Sequence, residues 1–273
     1  MLSGSHENQQ YQDFLISESR RGLIPPDLYD ALIPNFQEDM VLLDFGCGLG
    51  YTSGFYSEKF RNEKNLNIFA CDYQVEILDS LWRRIVENKL KHITPFFMPK
   101  RSRLHFPKWI LPADHVFFSL SLSTTENPVD VLTTIKPTLK EGGLVHIIGW
   151  DKEKTHPLLT DIVPEKERLS LGQVESYLGI ARYNIIKQYK TSGPFFALTV
   201  VPQPVQDDSY TVKTEKPVPP KPDLPKPDLP KPDLPKPDLP QETPLENDKN
   251  EKDLIDEYLP IPPETLESPE EGS

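Results

Sequence analysis

The amino-acid sequence predicts an α/β fold, an open sandwich built on a mostly parallel sheet, for its first 205 residues. Three observations carry this expectation. Short apolar runs alternate with stretches of helical period. A glycine-rich turn, GCGLG, follows directly on the first apolar run. The last two apolar runs have no helix between them, so they should pair antiparallel.

Taken in order, Asn8 to Glu18 and Pro26 to Leu32 read as helices, the second starting at Pro25-Pro26, where a missing N–H costs nothing. MVLLDFG (Met40 to Gly46) is a strand apolar on both faces, as a central parallel strand must be. Tyr51 to Phe60 is helical. NIFACD (Asn67 to Asp72) is a second strand, followed by a helix from Val75 to Lys89 with Ile77, Leu78, Leu81, Trp82 and Ile85 at helical spacing. Thr94 to Met98 is a third strand, and Pro95 places it at an edge because proline cannot donate to a ladder. DHVFFSLSL (Asp114 to Leu122) is the fourth strand. Val129 to Leu139 is a helix closed by Gly142-Gly143, and LVHIIGW (Leu144 to Trp150) is the fifth strand. A helix at Leu171 to Leu178 leads to the final pair, Tyr183 to Lys190 and Phe195 to Val201, joined at Ser192-Gly193-Pro194.

Composition separates this body from the last quarter of the chain. The 273 residues carry a formal charge of −12 and 30 prolines. From Gln206 to Ser273 there are 18 acidic residues, 8 basic residues and 16 prolines, so the acidity belongs to a tail. The expected division is a domain over 1–205, with a helical lid at 1–39 and a core at 40–205, and a disordered tail over 206–273. Within the tail KPDLP occurs four times between Lys221 and Pro240, which predicts an extended polyproline-II spacer reaching ~60 Å. A second reading makes each PDLP a ligand for a proline-binding protein partner.

Several classes are excluded at this level. No apolar run approaches the roughly 20 residues of a membrane span, and the polar start lacks the pattern of an export signal. Cys47 and Cys71 are too few for a disulfide framework or a zinc site, so no metal is expected and a reducing cytoplasm is the simpler location. The nearly neutral body lacks the positive footprint of a general nucleic-acid binder.

The glycines at 46, 48 and 50 stand at a strand-to-helix turn, where tight dihedrals and close backbone approach are needed. The next helix points its free N–H groups at whatever binds there. Asp44 lies two residues before the first glycine, and Asp72 ends the second strand, 22 residues after Gly50. Such a strand-ending carboxylate can accept from both hydroxyls of a ribose; the alternative is a helix-capping Asp72 and a turn-forming Asp44. A dinucleotide fingerprint requires glycine at position 51, which is Tyr51.

These residues resemble the class I S-adenosylmethionine-dependent methyltransferases, over roughly Arg21 to Pro202. VLLDFGCGLG is similar to their first motif, ACDYQVEIL to their second strand with its ribose acid, and PADHVFFSLSL to their fourth-strand motif. ENPVDVLTTIKPTLKEGG is similar to the helix and glycine turn before their fifth strand. The resemblance implies a Rossmann-like three-layer sandwich with seven strands in the order 3-2-1-4-5-7-6, the last strand antiparallel. It implies S-adenosylmethionine as cofactor, cradled by Asp44, Phe45, Gly46, Cys47, Gly48 and Gly50, with Asp44 near the ammonium. Asp72 would hold the ribose, Tyr73 would contact the adenine, and Ser119 would lie close to the sulfonium. Family members often place an acid after the third strand, but here MPKRSR stands there, which implies either that backbone groups around Met98–Lys100, Pro99 among them, meet the adenine or that cofactor affinity is reduced. The basic run Lys100, Arg101, Arg103 reads as a solvated loop.

The expected activity is methyl transfer to a small-molecule acceptor. SLSL (Ser119 to Leu122) replaces the tetrapeptide of amino-group methyltransferases acting on DNA bases or glutamine, and no Pro-Cys pair offers a nucleophile for cytosine. Tyr11, Phe14, Ser121, Trp150 and Asp151 are the candidate acceptor-pocket residues. No catalytic base stands out: His115 and His146 lie inside strands and read as satisfied sheet residues. The competing expectation is a catalytically inactive, methyltransferase-like binding or scaffold module whose tail engages a partner.

Overall fold

The computed structural model describes residues 14, 24–99, 106–156 and 163–204. Tyr11, most of the first helix, the basic run Lys100–Arg101–Arg103 and the whole KPDLP tail lie outside the described residues. Phe14, the described residue of that first helix, has helical backbone and is buried.

The described chain runs α1 (Pro26–Leu32), β1 (Val41–Phe45), α2 (Tyr51–Lys59), β2 (Asn67–Asp72), α3 (Val75–Glu87), β3 (Ile93–Phe97) and β4 (Ala113–Ser119). It continues through α4 (Pro128–Ile135), β5 (Leu139–Asp151), β6 (Arg168–Leu169), α5 (Leu171–Ile180), β7 (Tyr183–Gln188) and β8 (Phe195–Pro202). The sheet order is β3-β2-β1-β4-β5-β8-β7, with the two-residue β6 pairing with β5 beside this path. Counted without β6, this is the order the resemblance implies. β1 to β5 pair in parallel, whereas β8 is antiparallel to both β5 and β7. Pro95 sits on the edge strand β3, opposite Ala70, where its missing N–H leaves no central ladder bond unmade.

Two cores flank the sheet. Leu32, Tyr56 and Leu81, from α1, α2 and α3, pack on one face around Leu42, Ile68 and Phe117. Leu132 and Ile135 of α4 and Val174 and Leu178 of α5 pack on the other. Each fully buried Leu or Ile contributes ~1.5–3 kcal/mol. Trp82 lies on the outer side of α3, 41% exposed, so that helix buries a narrower stripe than its apolar spacing predicts. Local signals set the helix starts. Pro128 opens α4 behind an Asn127 cap, and Ser170 and Gln173 form a reciprocal capping box on α5, worth about 1 kcal/mol.

Most element ends fall within two residues of the sequence reading, and two stretches, around the α4–β5 junction and at the end of β4, shift by three or more. α4 stops at Ile135 and passes through a 3₁₀ turn, Lys136–Thr138, because Pro137 cannot continue the helix. Gly142-Gly143 therefore lies inside β5, at an irregularity where its register against β4 shifts, and is no helix cap. β4 ends at Ser119 instead of Leu122, since Leu120 takes a left-handed φ of 64°.

Candidate active site

The parallel strands bring the carboxyl ends of β1, β2 and β4 together at the point where the sheet order reverses, which is where open α/β sheets place ligands. The turn after β1 is built from three left-handed glycines, with φ of 66° at Gly46, 53° at Gly48 and 69° at Gly50. Two of these positions are also spatially closed to any side chain. A Cβ on Gly46 would stand 2.5 Å from Cβ of Ser121, and one on Gly50 would stand 2.4 Å from a Leu81 methyl. The turn is pressed against β4's exit on one side and against α3 on the other.

Both predicted acids meet this turn. Asp72, 8% exposed, accepts from the Gly48 N–H through Oδ2 at 3.0 Å and from the Gln74 N–H through Oδ1 at 3.1 Å. Burial raises its carboxyl above the usual carboxylate value, opposed by the backbone N–H groups of Gln74, Gly48 and Tyr73. Asp44, 2% exposed, accepts through Oδ2 from the Ser53 hydroxyl at 2.6 Å and from the Ser53 N–H at 3.1 Å. Ser53 is in the first turn of α2, so Asp44 serves that helix as a cap supplied from the preceding strand, in place of the side chain Gly50 lacks. The alternative reading, a helix-capping Asp72 and a turn-forming Asp44, is met with the roles exchanged. α3 has Gln74 at its N-cap with no side-chain cap bond, and Asp72 accepts from an N–H two residues on, as a turn acid does; Asp44 is the acid that caps a helix.

The loop has a further support that the sequence does not announce. Nη1 of Arg84, on α3, donates to the Leu49 carbonyl at 2.7 Å. Cys47 donates its backbone N–H to the Cys71 carbonyl at 2.9 Å. Its buried thiol is pushed well above the ordinary range by burial, with Asp44 and Asp72 adding to the rise. Phe45 is buried against Phe118 and Phe106, and its carbonyl accepts from the Ser121 hydroxyl.

The remaining candidates divide. Tyr73, 41% exposed, stands at the rim beside Asp72 with its hydroxyl accepting from Gln74 Nε2 at 3.0 Å. Pro99 is half-buried just past β3, after Met98, whose N–H donates to the Asp72 carbonyl at 2.9 Å. Ser119, half-buried, has its Oγ 2.9 Å from the hydroxyl of Tyr29 on α1. Phe14 and Trp150 come together, ring centroids 5.9 Å apart. Ser121, buried, spends its hydroxyl on the Phe45 carbonyl. Asp151, also buried, accepts from the Glu153 N–H at 3.0 Å, as a turn-closing acid does.

The strand histidines form part of a buried relay. His115 Nδ1 lies 2.9 Å from His146 Nε2, and His146 Nδ1 lies 2.9 Å from Thr199 Oγ1. Thr199 Oγ1 is 3.1 Å from the Tyr189 hydroxyl, which donates to the Ala31 carbonyl at 3.4 Å. All donors can be placed along this row with both imidazoles neutral. Among the described residues, no group of three or more His, Cys, Asp or Glu is placed to hold a metal ion. No described helix is long and apolar enough to cross a membrane.

Residues 43–145, from β1 into β5, match a family model described as "Methyltransferase domain". No curated protein matches the sequence. Among solved structures, the chain is similar to a SAM-dependent methyltransferase from Aquifex aeolicus at 21% identity and a TM-score of 0.59, covering 69% of this chain and 95% of that one. It is similar to the glycopeptide N-methyltransferase MtfA complexed with S-adenosyl-L-methionine at 11% identity and a TM-score of 0.51, over 66% of this chain and 87% of that one. The mitomycin 7-O-methyltransferase MmcR matches at 11% identity and a TM-score of 0.51, over 66% of this chain but only 54% of that one. Residues 43–145 thus resemble a methyltransferase domain, and the fold is the Rossmann-like one of the class I methyltransferases, as the sequence motifs imply.

Proposed function

We propose that this methyltransferase domain binds S-adenosylmethionine at the glycine turn and transfers its methyl group to a small-molecule acceptor. The observation that carries this reading is the convergence of Gly46, Gly48 and Gly50 with Asp72 at the sheet's switch point. A pocket that approaches the backbone this closely, with a buried carboxylate bonded to its central N–H, suits an adenosyl ligand with a vicinal diol. In this reading Asp72 holds the ribose and Tyr73, at the rim, meets the adenine. The half-buried backbone around Pro99 takes the place of the missing acid. Asp44, fixed by Ser53 beneath the turn, would lie near the methionine ammonium. Phe45 and Cys47 complete the turn's floor.

When bound, the sulfonium supplies an activated methyl group with its leaving group already attached. The protein's part is then alignment and exclusion of water, which together lower a barrier by ~7–11 kcal/mol. Ser119, at the end of β4, would face the reacting end of the cofactor. The acceptor would lie toward Phe14 and Trp150, while Ser121 and Asp151 shape that end through their backbone bonds. Tyr11, outside the described residues, keeps its sequence-based expectation as an acceptor-pocket residue. The two free, buried cysteines support a reducing cytoplasm as the working compartment.

Isothermal titration with S-adenosylmethionine and its demethylated product tests the reading. Saturable heat with both is expected; no heat with either overturns it. The latter result would leave the inactive binding-module alternative, which the absence of an acid after β3 favours, and tight NAD binding would point instead to a nicotinamide enzyme.

A further inference from the structure

α1 is only seven residues long, yet it is held to the sheet by contacts that its length alone would not predict. At its centre is Tyr29, whose side chain has no solvent exposure. The ring packs against Tyr51 and Phe55 at centroid distances of 5.5 and 5.4 Å, just behind the glycine turn. The backbone carbonyl of Tyr29 accepts from the Tyr56 hydroxyl at 2.8 Å. The phenolic oxygen reaches a residue 90 positions away, Ser119 Oγ, at 2.9 Å.

Packing alone does not require that hydroxyl, since phenylalanine would fill the same apolar space. A buried hydroxyl must find a partner, and this one finds the last residue of β4. The chain turns sharply there: Leu120 is left-handed, and Ser121 then hooks back onto the carbonyl of Phe45, next to Gly46. The exit of β4 is therefore tied on both sides, to the glycine turn through Ser121 and to α1 through Ser119.

We propose that Tyr29 is a positioning residue of the methyl-transfer site: its hydroxyl orients Ser119 at the carboxyl end of β4, beside the glycine turn. This rests on the function proposed above, which places the reacting end of the cofactor at Ser119. It makes α1 a fixed wall of the site, in contrast to a helix that merely covers it. Either hydroxyl can donate to the other, so the bond fixes the direction of the Ser119 side chain whichever way its hydrogen points.

The test uses the full chain and three variants, Tyr29→Phe, Ser119→Ala and the double substitution, with S-adenosylmethionine affinity measured by calorimetry and melting temperature measured without ligand. Tyr29→Phe should weaken binding about fivefold, the loss of one net hydrogen bond, while its melting temperature stays within a few degrees of wild type. Ser119→Ala should weaken binding to a similar extent. The double variant should bind no more weakly than Tyr29→Phe alone, because the two hydroxyls act as one unit. Wild-type affinity in Tyr29→Phe, or additive losses in the double variant, overturns the proposal. A lowered melting temperature with unchanged affinity also overturns it, showing that the contact only tethers α1. If the wild-type protein itself gives no heat, it is the proposed function that fails, a result separate from any of these.

Discussion

Asp72 and Gly48, 24 residues apart, are joined by a 3.0 Å hydrogen bond from the glycine N–H to the buried carboxylate. The bond links the end of β2 to the middle of the glycine turn, so the acid helps to hold the turn's shape. Replacing Asp72 with alanine removes a charged acceptor from both. S-Adenosylmethionine affinity should fall by ~1–3 kcal/mol, measured by calorimetry, and an unchanged affinity would show that the ribose lies elsewhere.

The same carboxylate gives the affinity a pH dependence. Burial raises its pKa above the usual carboxylate value, so it takes up a proton earlier on acidification than an exposed aspartate would. Binding that needs the ionised form should therefore weaken as pH falls through that raised value and hold steady above it. Titrations in a pH series would show this limb, and Asp72→Asn should flatten it.

Arg84 offers a way to loosen the turn without touching its residues. Its guanidinium holds the Leu49 carbonyl at 2.7 Å, a charge-assisted bond at a half-buried site. Arg84→Met should weaken cofactor binding by roughly three- to tenfold with little loss of stability. Hydrogen exchange at the amides of residues 48 to 50 should accelerate in the variant. Unaltered exchange would mean that Asp72 and Asp44 suffice to hold the turn.

Gly50→Ala is expected to be a stability variant. It combines a left-handed φ of 69° with a Cβ placed 2.4 Å from a Leu81 methyl, so the fully buried Leu81 side chain must shift in a packed core. The cost should be about 2–4 kcal/mol, visible as a lower denaturant midpoint. An equal midpoint would mean that Leu81 can turn aside freely.

The buried histidine pair should govern the acid limb of stability. Burial lowers His115 from the ordinary 6.5 to about 4, opposed by Asp114 and aided by Lys140; it takes His146 well below 6.5, with His115 adding to the shift. A base with a depressed folded pKa contributes stability that is complete above its unfolded value and is lost on acidification. Folding stability should thus decline as pH falls from 6.5 toward 4, by on the order of 3 kcal/mol from His115 alone. His115→Gln should make that decline shallower in melting curves; an identical slope would exclude the pair as its source.

What was legible in the sequence is what is local. The glycine turn, Asp44 and Asp72 announce themselves because left-handed turns need glycine, and because a strand end followed by a helix start is a short-range pattern. The same holds for Pro95, whose chemistry places it on the edge strand. Gly142-Gly143 misled because two glycines after a helical stretch look like a cap, although Pro137 had already ended that helix. Tyr29 and Arg84 could not be read, since their partners lie 90 and 35 residues away and only the packed helices bring them together. The histidines could be read as sheet residues. Their alignment with Thr199 depends on the antiparallel register of β5 with β8, which no local pattern encodes.

The placement of Cys47 has a practical corollary. The thiol is buried under the glycine turn and strongly protonated, while Cys71, on the adjoining strand, belongs to the opposite core. An alkylating reagent should therefore react slowly with Cys47, and faster in any molecule whose turn has opened away from the sheet. Its labelling rate is thus a clock for that opening, one that ligand occupancy would slow and that needs no knowledge of the acceptor to be read.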